Sequence, residues 1–268
     1  MNFNLNNQKI LLYSHYSKTN DVDIYNHDMI INMTKYCDYI FILTNITNIW
    51  NFLINELPIY NKYKQQINII HSDQSTDIGN YHLFISQNYN KLQSISKLYL
   101  INDSFLVVNK TLLDKYLNTP INGDFSGICI SNEIKLHIQS FLYIFQNTSI
   151  KYLLEYFNTN DCPKSWNEAC SKFEINITEY LINNNCLLDK NIQIPKHKLN
   201  PHIMYSKELL NTKGIIKRQL INRHCVKKDH YGSWKPYILS NNQLLQLCHQ
   251  YNTNIGLLQY IHKYNSFI

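Results

Sequence analysis

Glycine and proline are scarce in this chain, six of each in 268 residues. That scarcity argues against collagen-like repeats, low-complexity linkers and a many-turned all-β sandwich. No Cys-x-x-Cys pair occurs among the seven cysteines, so a structural zinc of the usual ligand spacing is not expected. Most of the thiols lie inside apolar runs such as CDYIFIL and GICIS, where they serve as small core residues. No Gly-x-Gly-x-x-Gly follows the first apolar run, which removes the main support for a nicotinamide-binding oxidoreductase. No apolar stretch approaches the ~18 to 20 residues that a bilayer-spanning helix needs. Charged residues are also few, at 16%, but 44% hydrophobic content is ample for a sizeable core.

What is present is a net charge of +6 and a heavy use of Asn, Ile, Lys and Tyr, with 21 tyrosines. The bias runs through apolar and polar segments alike and reads as the coding bias of an AT-rich genome. A basic surface favours anionic partners such as nucleotide phosphates or anionic lipid. The longest basic stretch, Lys213 to Lys228, lacks the aromatic-interleaved stripe of a nucleic-acid groove, so no nucleic-acid partner is expected. The opening MNFNLNNQK has neither a signal peptide's apolar stretch nor a transit peptide's arginines. The expected location is cytoplasmic, with no transmembrane segment and peripheral membrane contact left open.

The first half alternates strand-like and helix-like segments. Strands are expected at Lys9 to Ser14, Asp38 to Thr44, Ile67 to His71 and Lys97 to Ile101, with helices at Ile24 to Tyr36, Ile49 to Tyr60 and Tyr81 to Ser94. That alternation implies an α/β fold with a mostly parallel sheet covered by helices on both faces. Two further strands are expected at Asp124 to Ile130 and Ser140 to Phe145, then helices at Ile150 to Tyr156, around Ser165 to Lys172, and at Asn176 to Asn183. Pro195 to Pro201 reads as a linker, and Asn241 to Tyr251 and Asn254 to Tyr264 as late helices. The domain expectation is a core over residues 1–222 and a helical extension over 223–268.

In such a sheet ligands bind at the carboxyl ends of the strands. The segment LYLINDSF puts Asn102, Asp103 and Ser104 there, directly after a buried-strand pattern. Asp103 has two readings: a ligand for a divalent metal on a nucleotide diphosphate, or part of an Asx-type turn. His15, with Tyr16 beside it, follows the first strand and is either a ligand donor or a structural histidine. Asp77, in STDIG ahead of Gly79, either caps a helix or stands beside amides that receive an anion. Glu174 opens a short helix, with Glu179 one turn on. If Glu174 faces the cleft and Glu179 the solvent, only Glu174 can act as a base; otherwise it serves helix-start electrostatics. His137, Gln139 and Ser140 are three polar groups ahead of the apolar SFLYIF, an odd set to bury without purpose.

Taken together, ILLYSHYSKTNDVDIYNHDMI, DYIFILTN, STDIGNYHLFI, LYLINDSFLV, GDFSGICIS, LHIQSFLYIF, FEINITEYLINNN and LNPHIMYSKELLNTKGIIKRQLI resemble, in order and spacing, segments of the rhamnan synthesis protein F family of glycosyltransferases. The resemblance spans roughly Lys9 to Ile221 and departs at Ser126 and Phe105, positions that bear on sugar choice. It implies a GT-A-like fold and inverting transfer of rhamnose or another hexose from a nucleotide-sugar donor to a glycan or lipid-linked glycan acceptor. By position, it implies that His15, Tyr16, Asp77, Gly79, Asn102, Asp103, Ser104 and Lys217 lie at the donor nucleotide, with Lys217 contacting diphosphate. Asp103 would hold a divalent metal, Mn²⁺ or Mg²⁺, if one is used. His137, Gln139 and Ser140 would line the sugar or acceptor site, and Glu174 and Asp124 would be catalytic. The alternative is a non-catalytic nucleotide-sugar or glycan-binding module on a degenerate GT-A site.

Overall fold

The apolar runs of the first half form strands, three of them with both faces covered and the edge strand half-buried. In the computed structural model, which describes residues 4–18, 20–191, 206–217 and 246, β1 (Lys9–His15), β2 (Tyr39–Thr44), β3 (Ile67–His71) and β4 (Lys97–Asn102) pair in parallel. Successive side chains alternate between faces. Ile10, Leu12, Phe41, Leu43, Leu98 and Leu100 join one core cluster, while Leu11, Tyr13, Ile40, Ile42, Tyr99 and Ile101 join the other. Uninterrupted apolar runs, rather than alternating ones, are what such doubly covered strands require.

The helices that link these strands are α1 (Ile24–Met33), α2 (Thr47–Glu56) and α3 (Asp77–Leu92). The strand order begins β3-β2-β1-β4, so the chain builds outward from β1 and then jumps back across it to lay down β4. Right-handed crossovers force a helix to change faces when that direction reverses. Accordingly α1 and α2 pack on the face with Leu11 and Tyr13, and α3 packs on the face with Ile10 and Leu12. The gap between the carboxyl ends of β1 and β4 is therefore a topological switch point, the place where open α/β sheets bind ligands. Pro58 ends α2 early and starts a separate turn at Pro58–Tyr60.

Beyond β4 the order is less regular. A short β5 (Phe105–Val107) and α4 (Lys110–Asn118) follow, neither expected from the sequence. The single strand expected at Asp124 to Ile130 is two, β6 (Phe125–Gly127) and β7 (Ile130–Ser131); β7 turns away to pair with β8 (His137–Ile138). A side chain at Gly127 would place its Cβ 2.1 Å from Ile138 Cγ2, so that close approach needs glycine. The next strand, β9 (Leu142–Gln146), runs antiparallel between β4 and β6 and completes a six-stranded sheet. Then come α5 (Thr148–Thr159), one turn of α6 (Trp166–Glu168), a wide π-helical stretch Ala169–Glu174 and α7 (Ile175–Asn183).

The last described elements are α8 (Ser206–Lys213) and β10 (Ile215–Lys217), which pairs antiparallel with β5 so that Lys217 lies opposite Phe105. Gly214 makes the join at φ +70°, donating its amide to Leu210 O and accepting at its carbonyl from Val108 and Asn109. An added Cβ would lie 2.2 Å from Asn109 O. Gly214→Ala is expected to cost about 1–3 kcal/mol in urea unfolding, whereas Asn211→Ala on the exposed side of α8 should change little. The linker around Pro195 to Pro201 and the helices expected after residue 222 lie outside the described residues. The α/β class and the mostly parallel, helix-covered sheet are as the sequence leads one to expect.

Candidate functional site

The site is assembled at the switch point around Asn102, the last residue of β4. Its amide donates to Asp77 Oδ2 and, at 3.5 Å, to Ser140 O. Its side-chain oxygen accepts from the backbone N–H of Ser104 at 3.1 Å and from the Ser104 hydroxyl at 2.5 Å. The Asx-type turn is thus closed by Asn102 rather than by Asp103. One small amide ties together α3, the turn after β4 and the segment entering β9.

Asp77 arrives there because α3 starts at the edge. Thr76 caps the helix, accepting from Gly79 N at 3.0 Å, and Asp77 Oδ1 accepts from Ile78 N at 2.9 Å. Asn80, one turn in, donates to Ser14 Oγ at 2.8 Å and accepts from Ser72 Oγ at 2.5 Å, which pins this helix end to the carboxyl ends of β1 and β3. Both oxygens of Asp77 are consequently engaged, and the helix-capping reading of this segment is present in the geometry.

Glu174 comes from the opposite side of the cleft, at the end of the π-helical stretch and the start of α7. Its side chain is 17% exposed, and it accepts hydrogen bonds from the hydroxyl and amide of Ser140. Burial pushes its carboxyl up to about 7, with Asp77 adding to the rise and Ser140 and Lys217 opposing it. His137 Nε2 lies 3.9 Å from Glu174 Oε1, while its Nδ1 meets Lys135 O at 2.8 Å. The carbonyl fixes the proton on Nδ1 and turns the Nε2 lone pair toward the carboxyl. Burial also lowers the His137 pKa, favouring the neutral ring. Thr178 of α7 accepts from Ile138 N at 3.0 Å, holding β8 and Glu174 in register. Glu179 is exposed and paired with Lys135, so of the two glutamates only Glu174 faces the cleft.

Lys217 closes the site from β10. Its ammonium donates to Ser104 Oγ at 2.9 Å and stands 4.3 Å from the centroid of the Phe141 ring. Desolvation lowers its pKa, and the charges of Asp77, Glu174 and Asp103 act against that. Asp77, Asn102, Asp103, Ser104, Ser140, His137, Glu174 and Lys217 are therefore neighbours, though they are spread over 140 residues of sequence.

Other expected residues lie elsewhere. Asp124 precedes β6, level with Gln146 of β9 and hence with Lys97, the amino end of β4. Five residues of strand, ~16 Å, separate that level from Asn102. Its carboxylate instead accepts from Leu187 N at 2.8 Å and Asn147 Nδ2 at 3.4 Å, so a catalytic Asp124 is corrected to a structural one. His15 is buried at the end of β1, where Nδ1 accepts from the Trp50 indole at 3.2 Å and lies 3.3 Å from Thr44 Oγ1. Both of these partners are core side chains. Tyr16 is 42% exposed at the same edge. Gly79 is buried and its amide is spent on Thr76, which leaves it no N–H for an anion. Gln139 is buried beside β7, with its backbone N–H on Cys129 O.

Two participants had no sequence signal. Phe141 supplies the ring against Lys217. Tyr81, one turn after Asp77, is fully buried with a hydroxyl that has no hydrogen-bond partner among the described residues, and it feels the charges of Asp77 and Asp103. A periodic reading of α3 marks Tyr81 only as core.

A divalent ion in a nucleotide site takes six oxygens, usually one or two carboxylates with phosphates and waters. Among the described residues no group of three or more His, Cys, Asp or Glu comes together as a metal cluster. Asp77 has both oxygens hydrogen-bonded, and Glu174 is held by Ser140. Asp103 remains, and the ammonium of Lys217 already stands beside its turn. The described residues therefore form no all-protein metal cage, and an ion here would be held by Asp103 together with donor phosphates and waters.

No protein-family model and no curated protein matches this sequence. Among solved structures, a putative glucose-1-phosphate thymidylyltransferase from Bacillus anthracis is 8% identical with a TM-score of 0.43, covering 70% of this chain and 87% of its own. A glycosyltransferase involved in glycosylation of the major capsid of PBCV-1 is 10% identical with a TM-score of 0.37, covering 78% and 93%. The catalytic domain of Drosophila beta1,4galactosyltransferase 7 is 8% identical with a TM-score of 0.40, covering 87% and 82%. At these values the likenesses carry no weight for function, which rests on the residues gathered at the switch point.

Proposed function

We propose that the chain is a GT-A-like glycosyltransferase, akin to the rhamnan synthesis protein F family, moving rhamnose or another hexose from a nucleotide-sugar donor to a glycan or lipid-linked glycan acceptor. The observation that carries this reading is Glu174: a mostly buried carboxyl, poised near neutrality, across a cleft from a cation and an Asn-Asp-Ser turn. A carboxyl raised by burial beside charged neighbours is suited to exchange a proton with substrate near neutral pH. The acceptor hydroxyl gives its proton to Glu174 as its oxygen bonds the anomeric carbon. The bond from that carbon to the diphosphate oxygen breaks, and its electron pair leaves on the nucleoside diphosphate. Attack from the face opposite the leaving group inverts the centre through an oxocarbenium-like transition state. Asp103 and Tyr16 are proposed to contact donor hydroxyls, and Gln139 to support the acceptor side. The work is placed on the cytoplasmic side of a membrane, where a net charge of +6 suits an anionic lipid surface.

Incubation with a panel of nucleotide sugars, read by mass spectrometry, tests this. Release of nucleoside diphosphate with sugar on water or acceptor is expected for at least one donor. Turnover should climb about tenfold per pH unit below pH 7 and level off above it, because the base must be ionised. Binding of donors with no release from any would mark a non-catalytic module instead.

A further inference from the structure

The helical stretch that carries Glu174 begins with an indole left in water. Trp166 opens α6 and is 70% exposed, whereas Trp50 is fully buried. Single exposed apolar side chains are ordinary on a protein surface, so exposure alone assigns Trp166 nothing. Its place on the helix does more. Trp166, Cys170 and Glu174 recur at intervals of four residues. A regular α-helix turns ~100° per residue and would leave residue 166 about 80° from the direction of Glu174. The π-helical stretch Ala169–Glu174 turns less per residue, which removes most of that offset and puts the three on one face. That face is the cleft face, because the Cys170 thiol feels the charges of Glu174, Asp77 and Lys217. Exposure rises along it, from 17% for the Glu174 side chain to 70% at Trp166, so the line runs from the cleft to its mouth.

The face is also held in place. Ala169 and Phe173, on the adjoining side, are buried. Phe173 packs against the rings of His82, Tyr156 and Phe157 at centroid distances of 5.9, 5.7 and 5.3 Å. Ser165 caps the first turn by accepting from Glu168 N at 3.2 Å, and Lys172 pairs with Glu168 at 3.1 Å. Ahead of that turn, Cys162 Sγ lies 3.6 Å from Gln74 Oε1, which sets the segment against the chain leading into α3 and Asp77.

We infer that Trp166 is a stacking platform for a pyranose ring of the acceptor glycan, set behind the ring whose hydroxyl meets Glu174. That role rests on the transferase reading and deepens it, because it makes the acceptor an oligosaccharide. A pyranose carries a patch of C–H groups on one face and hydroxyls around its rim. An indole meets the patch with its electron-rich face and leaves the hydroxyls in water, the balance that favours Trp where a site is half apolar and half wet. Eight residues separate Trp166 from Glu174, at most ~12 Å along the helix axis. That is longer than one sugar ring. A monosaccharide seated at Glu174 therefore does not reach the indole, and a longer acceptor does.

Acceptor length is the readout. Methyl glycosides of one, two and three sugars, built from glucose, N-acetylglucosamine or rhamnose, would be offered with a donor that turns over. Binding of the same compounds would be followed by isothermal titration. In at least one series the acceptor KM and Kd are expected to fall about tenfold from the monosaccharide to the trisaccharide. Trp166→Ala should raise both values for the trisaccharide about tenfold and flatten the dependence on length, while Trp166→Tyr should keep most of it. Phe52→Ala, which removes an exposed aromatic ring from α2, should change neither value. Thermal unfolding of each variant without ligand shows that the fold is kept. A parent that binds none of these compounds or shows no preference for length, or a preference that survives Trp166→Ala, overturns the inference. If sugar is still transferred to a monosaccharide or to water in those cases, the transferase reading stands without it. Trp166-dependent binding of a trisaccharide with no turnover of any donor would leave the platform standing and remove the transfer reaction.

Discussion

Glu174→Gln is expected to abolish most turnover, by at least ~10²-fold, while making the folded protein more stable above neutral pH. Glutamine keeps the volume and can still accept from Ser140, but it cannot take a proton from an acceptor hydroxyl. The stability arm follows from linkage. An acid whose folded pKa lies above its unfolded value stabilises the fold fully below the unfolded value and loses that contribution as pH rises through the folded one. For Glu174 that window runs from ~4.3 to about 7. At pH 8 the buried carboxylate then costs roughly 3 kcal/mol relative to a neutral group, less whatever water reaches its exposed edge. The variant should gain about 1–3 kcal/mol in urea unfolding at pH 8 and nothing at pH 4. Among the described residues the titratable groups facing Glu174 are Asp77 from α3, Lys217 from β10, His137 from β8, Tyr143 from β9, Cys129 just before β7 and Cys170 from its own π-helical stretch. Asp77 raises its pKa and Lys217 lowers it. Lys217→Met should therefore move the rising limb of the pH profile upward. Wild-type rates in Glu174→Gln would remove the base; equal stability at pH 8 would mean the carboxyl is solvated. Loss of activity with gain of stability is the signature of a strained functional group.

How far the site could be read in advance depended on whether local pattern or long-range pairing places each residue. Strands β1, β2 and β4 were legible because doubly covered strands need continuous apolar runs, and the half-buried edge strand β3 has the expected bounds, Ile67–His71. Their carboxyl ends then fall at one edge, which is why Asn102 could be located from sequence, whereas α3, expected from Tyr81, starts one turn earlier at Asp77. Asp124 was misplaced because only strand direction distinguishes the two edges. It precedes a strand that runs parallel to β4, and so stands at the amino edge. His15 does sit at the right end of the right strand, but α2 brings Trp50 beneath it, a contact 35 residues away with no local signature. Strands β5, β8 and β10 are two or three residues long, too short for any period to register. Lys217 reaches the cleft only through the last of these, so its neighbours could be found only from the fold.

Asn102→Asp tests the hub, and its effect should depend on pH in the opposite sense to ordinary acidic residues. In the native site the Asn102 amide donates to Asp77 while its oxygen accepts twice from Ser104. An aspartate keeps the acceptor and loses the donor, so two carboxyl groups face each other where an N–H···O bond stood. Carboxylates that close cannot both ionise, and the folded protein holds a proton between them. The pair's upper pKa in the folded state then exceeds its unfolded value, and stability falls as pH rises from ~4 toward 8. At pH 4 the variant should lie within about 1 kcal/mol of the parent, because a shared proton restores the bond. By pH 8 the loss should reach about 3 kcal/mol, the range for breaking one partner of a buried pair. Lys217 moderates it, so adding Lys217→Met should deepen the loss at pH 8 and leave pH 4 unchanged. Asn102→Ala separates charge from packing. It removes the same hydrogen bonds but adds no acid, and its cost should be nearly flat with pH. If Asn102→Asp and Asn102→Ala fall together at every pH, Asp77 is not held against residue 102 in solution, and the cleft is looser than the hydrogen bonds around Asn102 require.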